Sequence, residues 1–426
     1  MKAPILTAVG LSIIAFHSLA VTPPDPGFVT HEWGTFTSVQ GADGVQMDWN
    51  PLVAPDLPKF VYDFTKVRRK PRFPAFSVAG KTAITCTQRL ETPVIYFYSD
   101  RTRTIDVTVA FPRGSVTEWY PLESATDTGA STTIGRADVA AGPALHWGKM
   151  QVLAGDTKGV QFPVEKSGSH YYAARDTDSN ALQVTTGEKS SEAEKFLFYR
   201  GVGSFTAPLT IKLESSDSRQ VTLANTSREI LRNLFLYAVG DSGGDWIKVE
   251  HLLPGERRIV ALPTNSAPAQ LTGLASELRK ALIGEGLYER EAAAMVKTWE
   301  TSWFSEKGMR VLYTLPRAWT DRTLPLRVTP TPRETARVMV GRAEIITPEM
   351  ELALVAATER YVAAWPGDRP AIAAEARNLG LGRFMQPTLM RVMASAKRSN
   401  EFSSLSWELL QGATFPPKTE APPASN

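Results

Sequence analysis

Three stretches carry residue types and spacings that could do chemistry. The first, "THEWGTFTSV" (Thr30 to Val39), sets His31 beside Glu32. A zinc protease needs a second histidine four residues on along a helix, so that both rings face one ion with the glutamate as general base. Position 35 is Thr, and Trp33, Thr35, Phe36, Thr37 and Val39 are strand formers. His31 and Glu32 should therefore point to opposite faces of a strand, and no zinc site is expected. The strand instead groups His31, Trp33, Thr35 and Thr37 on one face. An aromatic ring with polar neighbours can stack on a pyranose, which makes His31 and Trp33 candidate ligand contacts. The competing expectation is that Trp33 packs in the core, because large aromatics dominate core energetics.

The second pattern is an arginine and a glutamate two apart on a strand, hence on one face, beside apolar sequence. Arg89 and Glu91 share a face with Ile95 and Phe97; Arg342 and Glu344 share one with Val338, Val340 and Ile346. Charges on an inward face are costly unless paired. These are either structural ion pairs or the lining of a polar pocket, with Arg89 and Arg342 as ligand contacts and Glu91 and Glu344 as candidate catalytic carboxylates for glycoside hydrolysis. The third stretch, "RDTDSNAL", offers Asp176, Asp178 and Asn180 as a candidate calcium loop. Ala181 stands where an EF-hand needs glycine and Gly187 where it needs glutamate, so the competing expectation is a plain polar turn. No "GxSxG" elbow, phosphate-binding loop or dinucleotide fingerprint occurs, and no cofactor is expected.

The chain opens with one lysine, an apolar run from Pro4 to Phe16, and small residues at Ser18 and Ala20. That reads as a secretory signal peptide over residues 1–20, which implies a periplasmic or secreted protein. The apolar run is shorter than the roughly 18 residues a membrane span needs, so no span is expected after cleavage. Cys86 is the only cysteine, so no intramolecular disulfide can form and core burial must hold the fold. The net charge of +3 is spread along the chain, without the basic stripe a nucleic-acid partner would call for.

The pattern positioning these residues is α+β: a β-rich N-terminal region with sandwich-like (immunoglobulin-like) strands, then a mixed helical and β C-terminal region. Residues 21–207 read as a β-rich domain. Within it "TPVIYFYS" is a strand buried on both faces, and "TIDVTVAF" alternates and should pair with it as a hairpin. Residues 208–263 supply five short strands with turns at sandwich spacing, read as an immunoglobulin-like module. "PTNSAPAQ" marks a break. Over 264–412, Leu271, Leu274, Leu278 and Leu282, then Met295, Trp299 and Trp303, recur at helical spacing. Thr347-Pro348-Glu349 is a strong helix start. The proline-rich residues 413–426 read as a disordered tail.

The blocks "HEWGTFTSV", "ETPVIYFYS" and "RVMVGRAEIITP" resemble an uncharacterised family of exported bacterial proteins. The resemblance implies export and a single ancestral unit; it brings no activity and no catalytic residues. The resulting expectation is an exported envelope protein with a binding or scaffold role, towards a glycan or another envelope protein. The alternative is a carbohydrate-active hydrolase using Glu91 and Glu344.

Overall fold

The computed structural model describes residues 24–51, 57–64, 85–123, 144–155, 159–166, 168–214, 219–240, 243–263, 270–395 and 400–414. The leader, residues 264–269 of the expected break and the tail from 415 lie outside the described residues.

Seventeen strands are described: β1 (Asp25–Gly41), β2 (Tyr62–Asp63), β3 (Gln88–Ser99), β4 (Arg103–Ala110), β5 (Gly114–Tyr120), β6 (Ala144–Val152), β7 (Leu182–Gly187), β8 (Ser190–Glu194), β9 (Leu197–Gly203), β10 (Leu209–Leu213), β11 (Gln220–Asn225), β12 (Leu231–Gly240), β13 (Gly243–Leu252), β14 (Arg257–Ala261), β15 (Gly308–Thr314), β16 (Leu326–Thr329) and β17 (Pro332–Ile346). They form a nine-stranded sheet in the order β13-β12-β15-β17-β1-β3-β9-β5-β2, a five-stranded sheet β16-β4-β6-β7-β8, and a three-stranded sheet β10-β11-β14. At the centre, β1 runs parallel to β17 and antiparallel to β3. The fold class is the α+β expected from the sequence, with helices mainly in the C-terminal half.

The alternation of β1 sorts its side chains into two layers. Phe36, with Leu90 of β3, packs against Val107, Leu145, Ile211 and Leu223 of the two smaller sheets, giving a sandwich. Trp33 and Val340 face the other way, towards Leu278, Met295 and Trp299 of the helices Gln270–Gly284 and Glu289–Phe304. Further along that face, Val39 and Ile346 meet Leu354, Phe384, Leu389 and Leu409 of the C-terminal helices. The Pro348–Ala363 helix begins as its sequence foretold, Thr347 accepting a hydrogen bond from the Met350 N–H.

Three expectations need correction. β3 and β4 are not a hairpin: β3 pairs with β1 and β9, whereas β4 pairs with β6 and β16 in the five-stranded sheet. Arg103 fixes the crossing between sheets through Asp25, Ser99 and Asp100. The five strands of 208–263 all form but do not make one module. β10, β11 and β14 stay together, while β12 and β13 join the nine-stranded sheet. The reason lies in β12, where Leu234, Phe235, Leu236 and Tyr237 are all buried and so need cover on both faces. Pairing of β12 with β15 also carries the large sheet across the expected boundary at 263.

Candidate functional site

The conspicuous irregularity of the large sheet lies where β3 meets β1. The register slips between Trp33 and Thr35 on one side and between Leu90 and Val94 on the other, a bulge made by Glu91-Thr92-Pro93. Thr92 takes φ 46°, a left-handed conformation that costs a β-branched residue strain. Gly34 accommodates the bulge, since a Cβ there would lie 2.9 Å from the Pro93 Cα. Bulges re-aim side chains, and this one sets Glu91 towards the helical layer.

On that face a band of buried charge crosses the sheet between the two apolar clusters of the helical side. β9 contributes Arg200, β3 Arg89 and Glu91, β1 Thr35 and Thr37, β17 Arg342 and Glu344, and β15 Arg310. The band has two halves of different character.

The half around Glu344 satisfies itself. Arg310 donates from Nε and Nη2 to the Glu344 carboxylate at 3.0–3.1 Å, and its remaining hydrogens reach the carbonyls of Trp303, Glu306 and Lys307. Those carbonyls lie at the end of the Glu289–Phe304 helix, so the guanidinium caps its C-terminus and ties it to the sheet. Arg342 binds Glu344, Ser302 and Glu306. Burial acts to raise the Glu344 pKa, but Arg310 and Arg342 outweigh it and hold the carboxyl below its usual range. This is a structural ion network, one of the two readings the Arg-x-Glu spacing left open.

The half around Glu91 is different. Its closest cation is Arg383 from the short turn Gly382–Phe384, which donates Nη1–H to Glu91 Oε1 at 2.6 Å; Arg89 Nε stands 3.9 Å off. Burial again works to raise the pKa, and Arg383, Arg89, Arg200 and Arg342 together bring it down to about 2. Four arginines thus act on the Glu91 carboxylate, and Arg342 is shared with Glu344. Arg200 contacts His170 at 3.2 Å, whose ring lies 5.4 Å from Trp299. Among the described residues, Thr35 Oγ1, Thr37 Oγ1, Arg383 Nε and Nη2, and the indole Nε1 of Trp49, Trp299 and Trp303, on or beside this face, are buried without a hydrogen-bond partner. All seven can donate, and five can only donate. Native interiors leave few such atoms without a partner, and a group of them calls for water or a ligand.

The remaining sequence candidates fall elsewhere. His31 and Trp33 do share the helical face but are fully buried, so they form no surface platform for a sugar. His31 Nδ1 lies 2.8 Å from Glu291, whose carboxylate also receives the Tyr98 hydroxyl and the Tyr288 N–H at the start of the Glu289–Phe304 helix. Glu32 points to the opposite face, bonded to Tyr199 and Arg337. At the calcium candidate, Asp176 and Asp178 bind Arg290, while Asn180 bonds to Ser99 and Leu153. Among the described residues no three His, Cys, Asp or Glu side chains converge to hold a metal.

Glu91 and Glu344 lie on one face of the sheet. Glu91 is level with Thr35 and Glu344 with Val39, two strands apart, so their Cα atoms are separated by roughly 16 Å at ordinary strand dimensions. A glycosidase holds one of its two carboxyl groups protonated. Here both are held ionised. Arg383, Arg310 and Arg200 were not singled out by sequence. No local pattern marks them, because their partners lie far away in the chain.

Fold and site together define an α+β protein on a mixed nine-stranded sheet, with an arginine-rich seam under its helical layer. No family model matches the chain, and no curated protein matches it. Among solved structures it is similar to the yeast delta-COP-I mu-homology domain, alone (7% identity) and complexed with a Dsl1 WxWxV peptide (8% identity). Each match covers 76% of this chain and 100% of the other at a TM-score of 0.27, too low to inform fold or function.

Proposed function

We propose that this is an exported envelope protein that binds a small, acceptor-rich ligand in the seam around Glu91. The leader over residues 1–20 supports export. The observation that carries the binding role is the set of seven buried donor-capable atoms that have no partner among the described residues. A ligand that satisfies them must bring lone pairs, as sugars, carboxylates and phosphate esters do and as amines do not. The strained bulge that aims Glu91 supports the same place, since such strain clusters at functional sites.

A thermal-shift panel on the mature protein tests this. Ligands that bind the folded state alone raise its stability by about 2.7 kcal/mol at a hundred times Kd. Members of at least one acceptor-rich class should raise the melting temperature in a concentration-dependent way, while matched amines leave it unchanged. No shift with any class, or an equal shift with amines, would overturn the proposal.

A further inference from the structure

Arg383 shares with Arg342 the ring of Phe384: its guanidinium carbon lies 5.1 Å from the centre of that ring and 5.7 Å from that of Trp49. Nη1 is fixed on Glu91 at 2.6 Å. The two nitrogens left over, Nε and Nη2, are buried and have no hydrogen-bond partner among the described residues. They are not a random pair: they form the side-on edge of the guanidinium, whose two parallel N–H groups match two oxygens of one carboxylate, phosphate or sulfate. Holding the group by its neighbours leaves this edge pre-organised. Arg383 is also the most exposed of these side chains, 23% against 1% for Arg342 and 3% for Arg89.

We propose that Arg383 is the anchor of an oxyanion site, its Nε and Nη2 hydrogens taking two oxygens of a carboxylate, phosphate or sulfate group on the ligand. This rests on the seam being a binding site and adds the class of ligand. Arg89, Arg200 and Arg342 raise the potential at the same place, and Glu91 orients Arg383 through the third nitrogen. A ligand seated there accepts the two hydrogens of the Arg383 edge that have no partner among the described residues.

Isothermal titration with three probes that share one ring, glucose, glucuronate and glucose 6-phosphate, separates the possibilities. In the wild type at least one of the two anionic probes should bind roughly tenfold or more tightly than glucose. Whichever one does tells carboxylate from phosphate as the preferred group. Arg383→Lys keeps a cation beside Glu91, and so the fold, but cannot form the two-pronged contact; affinity for the preferred anion should fall roughly tenfold or more, with glucose unchanged. Melting curves of wild type and variant confirm that both are folded, and the wild-type comparison stands without the variant. If glucose binds as tightly as both anions, or if Arg383→Lys retains full anion affinity, the oxyanion assignment is wrong although the seam still binds. If none of the three binds, both the assignment and the seam are overturned.

Discussion

Glu344→Gln unfolds at a markedly lower denaturant concentration than the wild type, by the equivalent of about 3 to 5 kcal/mol. Arg310 and Arg342 are 0% and 1% exposed, and Glu344 accepts hydrogen bonds from both. Glutamine fits the space but carries no charge, so two guanidinium groups stay buried with the half-exposed Glu306 as the carboxylate still paired with Arg342. The loss extends beyond the pair, because Arg310 holds the carbonyls at the end of the Glu289–Phe304 helix. Chemical denaturation followed by circular dichroism measures it. A variant as stable as the wild type would mean that the network does not hold helix to sheet.

Glu91→Gln also destabilises, but with a different signature. The folded pKa is lowered from an ordinary 4.5 to about 2, so the carboxylate contributes stability that is complete above about pH 4.5 and is lost as the pH falls through about 2. A shift of that size corresponds to about 3 kcal/mol. The variant should be weaker than wild type by this order at pH 7, and the two should converge towards pH 2. Glutamine can still accept the Arg383 Nη1 hydrogen while removing a charge that repels anions. Glucose 6-phosphate or glucuronate should accordingly stabilise Glu91→Gln more than the wild type, and should do nothing comparable for Glu344→Gln. Equal stability at pH 7 would show that Glu91 is not the counter-charge of the seam.

How far the sequence reaches depends on how local each feature is. The opposite faces of His31 and Glu32 follow from a period of two within one strand, and Arg342 with Glu344 follows from the same spacing. The Arg383 partnership with Glu91 spans 292 residues and the Arg310 partnership with Glu344 spans 34, and no composition or spacing marks an arginine as buried. The turn after Ser99 looks alike whether the strands beside it pair or the chain crosses to a second sheet, so its sequence does not distinguish a hairpin from the crossing observed. The five strands of 208–263 are legible one by one. Their split between two sheets is foreshadowed by the apolar run of β12, whose Leu234 to Tyr237 cannot leave either face to water. The helix Asn400–Thr414 was not anticipated, although Leu405 and Leu409 stand at helical spacing and both are buried.

The most direct measurement is a crystal of the mature protein soaked in selenate, with diffraction recorded at the selenium edge. Selenate is a tetrahedral oxyanion that can be located without reference to protein density. An anomalous peak placed so that two selenate oxygens accept from Arg383 Nε and Nη2, beneath the helical layer and beside Glu91, is the predicted result. Peaks confined to exposed side chains such as Arg101, with the Arg383 edge bonded to other groups of the protein, would contradict it.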